Sequence, residues 1–216
     1  MSTIHFPPLD HASPEGLLAI GGNLEIETLL SAYSQGIFPW PHEEEPLLWF
    51  APPKRAILDF KNFHIPKRLQ QALKQNKFYY QIDSAFTQVI EACAKGKTRK
   101  SQGTWILPSM IQAYVKLHQA GYAHSFECFN QDQQLVGGLY GVSLGNYFAA
   151  ESMFYHESPA SKATLVFAVE TLKKRGATWL DAQVMSPLLK SFGAQEISRE
   201  DFTRRLKVSL NQKKLF

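Results

Sequence analysis

The chain has 216 residues, 44% hydrophobic and 19% charged, with a formal net charge of +4 and a pI of about 9.0. That is globular composition, which excludes wholesale disorder and allows one large domain or two modest ones. No apolar run approaches the roughly 18 residues that span a bilayer. The opening MSTIHFPPLDHASPEG lacks a secretory pattern, and Cys93 and Cys128 form no disulfide framework, so the expected location is the cytoplasm.

Residues 1–62 read as a small N-terminal domain rich in proline, glycine and aromatics. A short helix fits 25-EIETLLSAYSQG-36, with Leu29, Leu30 and Tyr33 on one face and Gly36 past its end. The segment closes on a strand-like RAILDF. From 63 to 216 helices and strands alternate. Helices fit 65–76, 84–96, with Ser84 as N-cap, and 108–121, with Pro108 in the first turn. A strand fits 78–83. Three more fit 123-AHSFECFN-130, 134-QLVGGLYGVSL-144 and 146-NYFAAESMF-154, with turns at QDQQ and Leu144–Asn146. A helix over 159–176, a strand over 178–184, the stretch 186-SPLLKSFG-193, a last strand and a short helix complete the chain. The expected class is α+β, a mixed sheet with flanking helices. The order of elements matches acyltransferases of the GNAT type, an analogy of fold that fixes no function.

Basic residues gather at Lys67, Arg68, Lys74 and Lys77, at 95-KGKTRK-100, at Lys173–Arg175 and near the C-terminal end. Solvated helix faces account for any one cluster. Several along one face would track phosphates, and the helix carrying Lys67, Arg68 and Lys74 is the first choice for that contact. There is no zinc spacing, no HExxH, no GxSxG and no phosphate-binding glycine loop, so neither a metal nor a cofactor is expected.

Three polar residues interrupt apolar strands. Glu151 ends the strand NYFAAES, where an unpaired carboxylate is costly. Asp181 and Gln183 alternate onto one face of TWLDAQV. If the two strands are neighbours, these groups converge. The plainer alternative is that Asp181 caps a turn and Gln183 bonds a loop.

The segments 16-GLLAIGGNLEIETLLSAYSQGIFPW-40, 103-GTWILPSMIQAYVKLHQAGYAHSFE-127, 135-LVGGLYGVSLGNYFAAESMF-154, 160-ASKATL-165 and 181-DAQV-184 resemble the leucyl/phenylalanyl-tRNA–protein transferases. The resemblance runs from about Phe6 to Phe202. It implies a GNAT-like domain behind an N-terminal domain, and transfer of Leu, Phe or Met from aminoacyl-tRNA to proteins beginning with Arg or Lys, which marks them for degradation. It assigns Leu139, Phe148, Leu165, Ala168, Leu172 and Leu180 to the aminoacyl side-chain pocket, and Tyr33, Trp40, Trp105 and Tyr114 to the terminal adenosine. On this footing Asp181 draws off the amine proton, Gln183 orients the amine or polarises the carbonyl, and Glu151 faces the acceptor's cationic end. The sequence departs from the family at Leu188, where a histidine is usual, at Asn23, where Asp is usual, and at Ala168 and Leu172, where phenylalanines occur. Two rivals are a coenzyme A-dependent N-acetyltransferase and a non-catalytic RNA-binding module. The first lacks its glycine loop in YHESPASKATL, and the second leaves the carboxylates without a purpose.

Overall fold

A computed structural model describes residues 4–40, 46–95 and 106–216. Its centre is a long hairpin of β7 (Leu135–Leu144) and β8 (Tyr147–Tyr155), closed by the Gly145–Asn146 turn. On one side β7 pairs with β6 (Ala123–Phe129), which pairs with β5 (Tyr79–Ile82). On the other side β8 lies parallel to β9 (Trp179–Gln183), followed by β4 (Lys54–Asp59) and β10 (Gln195–Ser198). The seven-stranded order is β10-β4-β9-β8-β7-β6-β5, antiparallel everywhere except between β8 and β9.

Helices cover both faces, and strand alternation sorts the core between them. Ile57, Tyr140, Tyr147 and Ala149 join one cluster with residues of α1 (Ile26–Ser34), α3 (Phe86–Ala94), α4 (Pro108–Gln119) and α7 (Arg199–Leu210). Leu58, Leu139 and Phe148 join the opposite cluster, with α5 (Ala160–Lys174) and Leu69 of α2 (Lys67–Leu73). A short helix, α6 (Pro187–Ser191), follows β9.

A second, three-stranded sheet is built from β1 (Leu17–Ile20), β3 (Leu48–Phe50) and β2 (Phe38–Pro39), in that order. Its strands all come from the first fifty residues. The strand-like RAILDF behaves differently. As β4 it enters the large sheet between β9 and β10, and all of its residues after Lys54 are buried. A strand apolar on both faces needs neighbours on both edges and cover above and below, which only the larger sheet supplies.

Ser84 does not cap α3, whose N-cap is Ala85 without a side-chain bond. The Ser84 hydroxyl instead donates to Glu127 Oε2 at 3.1 Å. Glu127 is wholly buried and burial raises its pKa, with the Ser125 and Ser84 hydroxyls acting against that rise. A buried carboxylate outcompetes a helix end for the serine, because leaving it without donors costs more than leaving the helix uncapped.

The central hairpin is tightest at Gly141, where a Cβ would stand 2.2 Å from the Ala149 carbonyl oxygen and 2.6 Å from the Phe148 ring. Both neighbours are parts of the β7–β8 ladder and the core, so neither yields cheaply. Gly141→Ala is expected to destabilise the protein by about 1–3 kcal/mol, read as a lowered midpoint in chemical denaturation.

Candidate active site

Strands β8 and β9 are in ladder register at one point, Ala149 opposite Asp181. Past that point their C-terminal ends are no longer paired, and a pocket of about 320 Å³ opens, lined by Ala150, Glu151 and Ser152 on one side and Leu180, Ala182 and Gln183 on the other. It is at the small end of the ligand-site range of about 300–1,000 Å³. The three polar residues singled out from the sequence do converge, at the root and mouth of this wedge.

They take different positions. Asp181 is wholly buried and does not line the pocket. Its carboxylate is gripped by Arg55 of β4, whose Nε donates to Oδ1 at 2.8 Å and whose Nη2 donates to Oδ2 at 2.6 Å. The Tyr147 hydroxyl donates to Oδ2 at 2.6 Å, and the backbone N–H of Gln183 donates to Oδ1 at 2.9 Å. With four donors on two oxygens, little lone-pair capacity is left to take a proton from a substrate. The expectation that Asp181 takes the amine proton directly is therefore corrected. Its place is structural: it fixes Gln183, whose backbone sits in the left-handed region at φ 51°. A non-glycine residue stays there only when its surroundings hold it.

Arg55 is itself 2% exposed. Its guanidinium lies between the rings of Phe38 and Phe202, 4.5 and 4.6 Å from their centroids, and Nη1 donates to the Gly36 carbonyl at 3.1 Å. Burial lowers its pKa, yet the charge and hydrogen bonds of Asp181 override this and hold it above the ordinary arginine value. Sequence reading passed over Arg55. It follows Lys54 at the start of β4, and its partner lies 126 residues further along the chain, so nothing beside it marks it out.

Glu151 faces the pocket, and its Oε1 accepts a 2.6 Å hydrogen bond from Gln183 Nε2. Burial is the largest influence on it and pushes its pKa from the usual 4.5 to about 8. Asp181 adds to the rise, while a hydrogen bond from Tyr33, the charge of Arg55 and the Gln183 amide resist it. Two carboxylates on neighbouring strands thus sit in contrasting environments, one locked to an arginine and one free to exchange a proton near neutrality.

The remaining expectations divide. Leu139, Leu165 and Leu180 line the apolar part of the pocket. Phe148, Ala168 and Leu172 belong to the same hydrophobic cluster but do not line the pocket. Trp40 lines the mouth. Tyr33 and Tyr114 offer no ring face to an adenine, because both are fully buried and their hydroxyls bond each other. Trp105 lies outside the described residues, as do all but Lys95 of the KGKTRK cluster. Lys67, Arg68 and Lys74 are exposed on and just after α2.

Comparison with known proteins settles the family. The chain matches the leucyl/phenylalanyl-tRNA protein transferase N-terminal domain over residues 22–53 and the leucyl/phenylalanyl-tRNA protein transferase model over residues 57–207. The chain belongs to the leucyl/phenylalanyl-tRNA protein transferase family. It is 47% identical to the Maridesulfovibrio salexigens member over 205 residues, covering 95% of this chain and 85% of that one. It is 42% identical to the Colwellia psychrerythraea member over 217 residues, covering 98% and 90%. Among solved structures it is similar in fold to FemX, with a TM-score of 0.54 at 10% identity, over 80% of this chain and 66% of that one.

Two of the positions noted in the sequence have defined surroundings in the structure. Asn23 supplies the acceptor an aspartate would, its Oδ1 taking hydrogen bonds from the Glu25 N–H at 3.1 Å and the Thr28 hydroxyl at 2.8 Å. Leu188, on α6, forms part of the apolar pocket wall.

The raised pKa of Glu151 has a cost. Between pH 4.5 and about 8 the folded state holds a proton that the unfolded chain has released. The group's contribution to stability is therefore full below pH 4.5 and lost as pH rises to about 8. Glu151→Gln removes this titration. Its melting temperature relative to the parent protein should rise as pH is raised from 5 to 9, measured by thermal melts across that range.

Proposed function

We propose that this chain transfers leucine, phenylalanine or methionine from aminoacyl-tRNA to the N-terminal α-amine of proteins beginning with Arg or Lys, on a GNAT-like fold working in the cytoplasm. The observation that carries the reading is Glu151, a carboxylate with a pKa of about 8 at the wall of an apolar pocket. The nucleophile is an α-amine with a pKa of about 7.7–8.0. A carboxyl raised toward neutrality by burial is suited to exchanging a proton with such an amine.

The reaction needs no outside energy, because an ester becomes an amide. The pocket around Leu139, Leu165 and Leu180 holds the aminoacyl side chain and presents its ester carbonyl at the mouth of the wedge. The acceptor amine attacks that carbon. As the C–N bond forms, the amine proton passes to Glu151. As the ester C–O bond breaks, Glu151 returns the proton to the departing ribose oxygen. Gln183, bonded to Glu151, orients the carboxylate and the amine. Asp181 and Arg55 act behind it as positioning residues. Most of the rate comes from holding two substrates in line, with proton transfer as the second contribution.

Trp40, beside the mouth, is placed to stack on the terminal base of the tRNA, a contact worth about 1–3 kcal/mol. Lys67, Arg68 and Lys74 are solvent-facing cations suited to phosphates and blind to base sequence. The same reading divides the chain between Pro53 and Lys54. The N-terminal unit ends with the three-stranded sheet, and β4 is the first strand of the catalytic unit.

The test is incubation with leucyl-, phenylalanyl-, methionyl- and isoleucyl-tRNA and peptides starting with Arg, Lys or Ala, read by mass. Leu, Phe and Met should add to the Arg and Lys peptides. Ile should lag, its β-branch crowding the ester, within the 10–200-fold range, approximately, that apolar pockets achieve. Glu151→Gln should slow single turnover by about 10²–10⁴-fold at saturating acceptor. Transfer at the parent rate by that variant would remove Glu151 from the chemistry.

A further inference from the structure

The segment after α7 crosses the end of the large sheet. Phe202 and Leu206 of α7 belong to the cluster on one face, whereas Leu215 and Phe216 belong to the cluster on the other. The crossing is pinned at the hairpin turn, where the Leu215 N–H donates to the Gly145 carbonyl at 3.0 Å. Arg175, just past α5, donates from Nη1 to the Leu215 carbonyl at 2.9 Å, and its guanidinium lies 4.1 Å from the centroid of the Phe216 ring. The seat of that ring is unfavourable in one respect. It stacks on His124 of β6, with centroids 3.8 Å apart and planes 14° off parallel. His124 Nδ1 donates to Asp83 Oδ2 at 2.8 Å, but Nε2 is buried with no hydrogen-bond partner among the described residues. A buried nitrogen left in that state is destabilising, so packing of the tail alone does not account for the ring's position.

The ring also touches the layer behind the candidate pocket. It meets Phe126 edge-on and Phe148 at a tilt, with centroids 6.2 and 6.3 Å apart, inside the range of about 4.5–7 Å in which aromatic pairs interact. Phe126 and Phe148 meet each other at 5.7 Å, and both are wholly buried. Each of the two is one step from the pocket wall. Phe126 is the cross-strand partner of Leu139, and cross-strand neighbours on one face touch. Phe148 alternates onto the same face of β8 as Ala150. Leu139 and Ala150 both line the pocket. Interiors are close-packed, so the position of a wall is set by what backs it.

The inference rests on the reading above, in which this pocket holds the aminoacyl side chain. We propose that Phe216 is a specificity-determining residue for the donor: through Phe126 and Phe148 it holds the pocket wall forward and so sets the largest side chain the pocket admits. Phe216 touches no substrate and acts as a positioning residue. Its anchors are the Gly145 carbonyl at the hairpin turn and Arg175 after α5, so the fold fixes the ring from two elements that take no part in the chemistry.

The test is competition between leucyl-, phenylalanyl- and tryptophanyl-tRNA for one Arg-initiated peptide, read by mass as the ratio of residues transferred, for the parent, Phe216→Ala, Phe216→Leu and Leu139→Val. Without the ring, Phe126 and Phe148 can move back and the pocket deepens. Phe216→Ala should then raise the ratio of Trp to Leu by about tenfold, the low end of the discrimination that one methylene of apolar space provides. Phe216→Leu refills most of the seat and should bring the ratio back towards that of the parent. A merely structural role would lower transfer of all three residues by one factor and leave the ratio unmoved. That result in folded Phe216→Ala overturns the proposal. If a thermal melt shows Phe216→Ala to be unfolded, Phe216→Val carries the same prediction. Leu139→Val enlarges the pocket directly and should shift the ratio in the same direction. If Leu139→Val leaves it at the parent value, the pocket does not hold the donor side chain, a failure of the reading beneath the proposal and distinct from an unmoved ratio in Phe216→Ala alone.

Discussion

The buried ion pair of Arg55 and Asp181 is the constraint on which the rest of the site depends. Removing two charges from water is expensive, and the pair persists only with good geometry and further hydrogen bonds. Both conditions hold. The contact is bidentate, Tyr147 and the Gln183 N–H complete the shell of Asp181, and the Gly36 carbonyl takes another guanidinium hydrogen. The aromatic walls come from Phe38, next to the first helix, and Phe202, on the last. One side chain therefore joins the N-terminal unit, two adjacent strands of the large sheet and α7.

That arrangement explains how two carboxylates near one wedge acquire different properties. Asp181 is saturated with donors. Glu151, beyond the end of the paired ladder, is desolvated without a dedicated cation. A pKa of about 8 follows from that imbalance. An acid placed this way is poor at anchoring structure and well suited to passing protons. The left-handed backbone of Gln183 is the joint between the two environments: its N–H belongs to Asp181 and its side chain to Glu151.

Much of this was legible in the sequence. The mostly apolar runs LVGGLYGVSL and NYFAAESMF, separated by the Leu144–Asn146 turn, specified the central hairpin, and the period of two in TWLDAQV put Asp181 and Gln183 on one face. Arg55 was not legible, because its partner is 126 residues away and nothing local points to it. Tyr33 and Tyr114 show the limit of reading residue type. Their rings announce aromatic surface, but only packing reveals that both are sealed in the core with their hydroxyls turned inward. The same holds for Phe148, Ala168 and Leu172, which are as apolar as the pocket leucines. The sheet, not the composition, decides which of them meet the ligand space. Ser84 looked like a helix cap until a buried glutamate claimed it.

The position of β4 also governs how the protein can be made. A ribosome delivers the chain from the N-terminal end, and β4 emerges early, yet both strands that flank it, β9 and β10, are encoded near the finish. At about 5–20 residues per second, the 126 residues separating Arg55 from Asp181 impose a wait on the order of ten seconds. During it, an apolar strand has neither edge covered, and its arginine lacks a counter-ion. Until β9 and β10 have been made, β4 has neither of its sheet partners. The same delay applies to the candidate site, whose Asp181 and Gln183 both lie on β9.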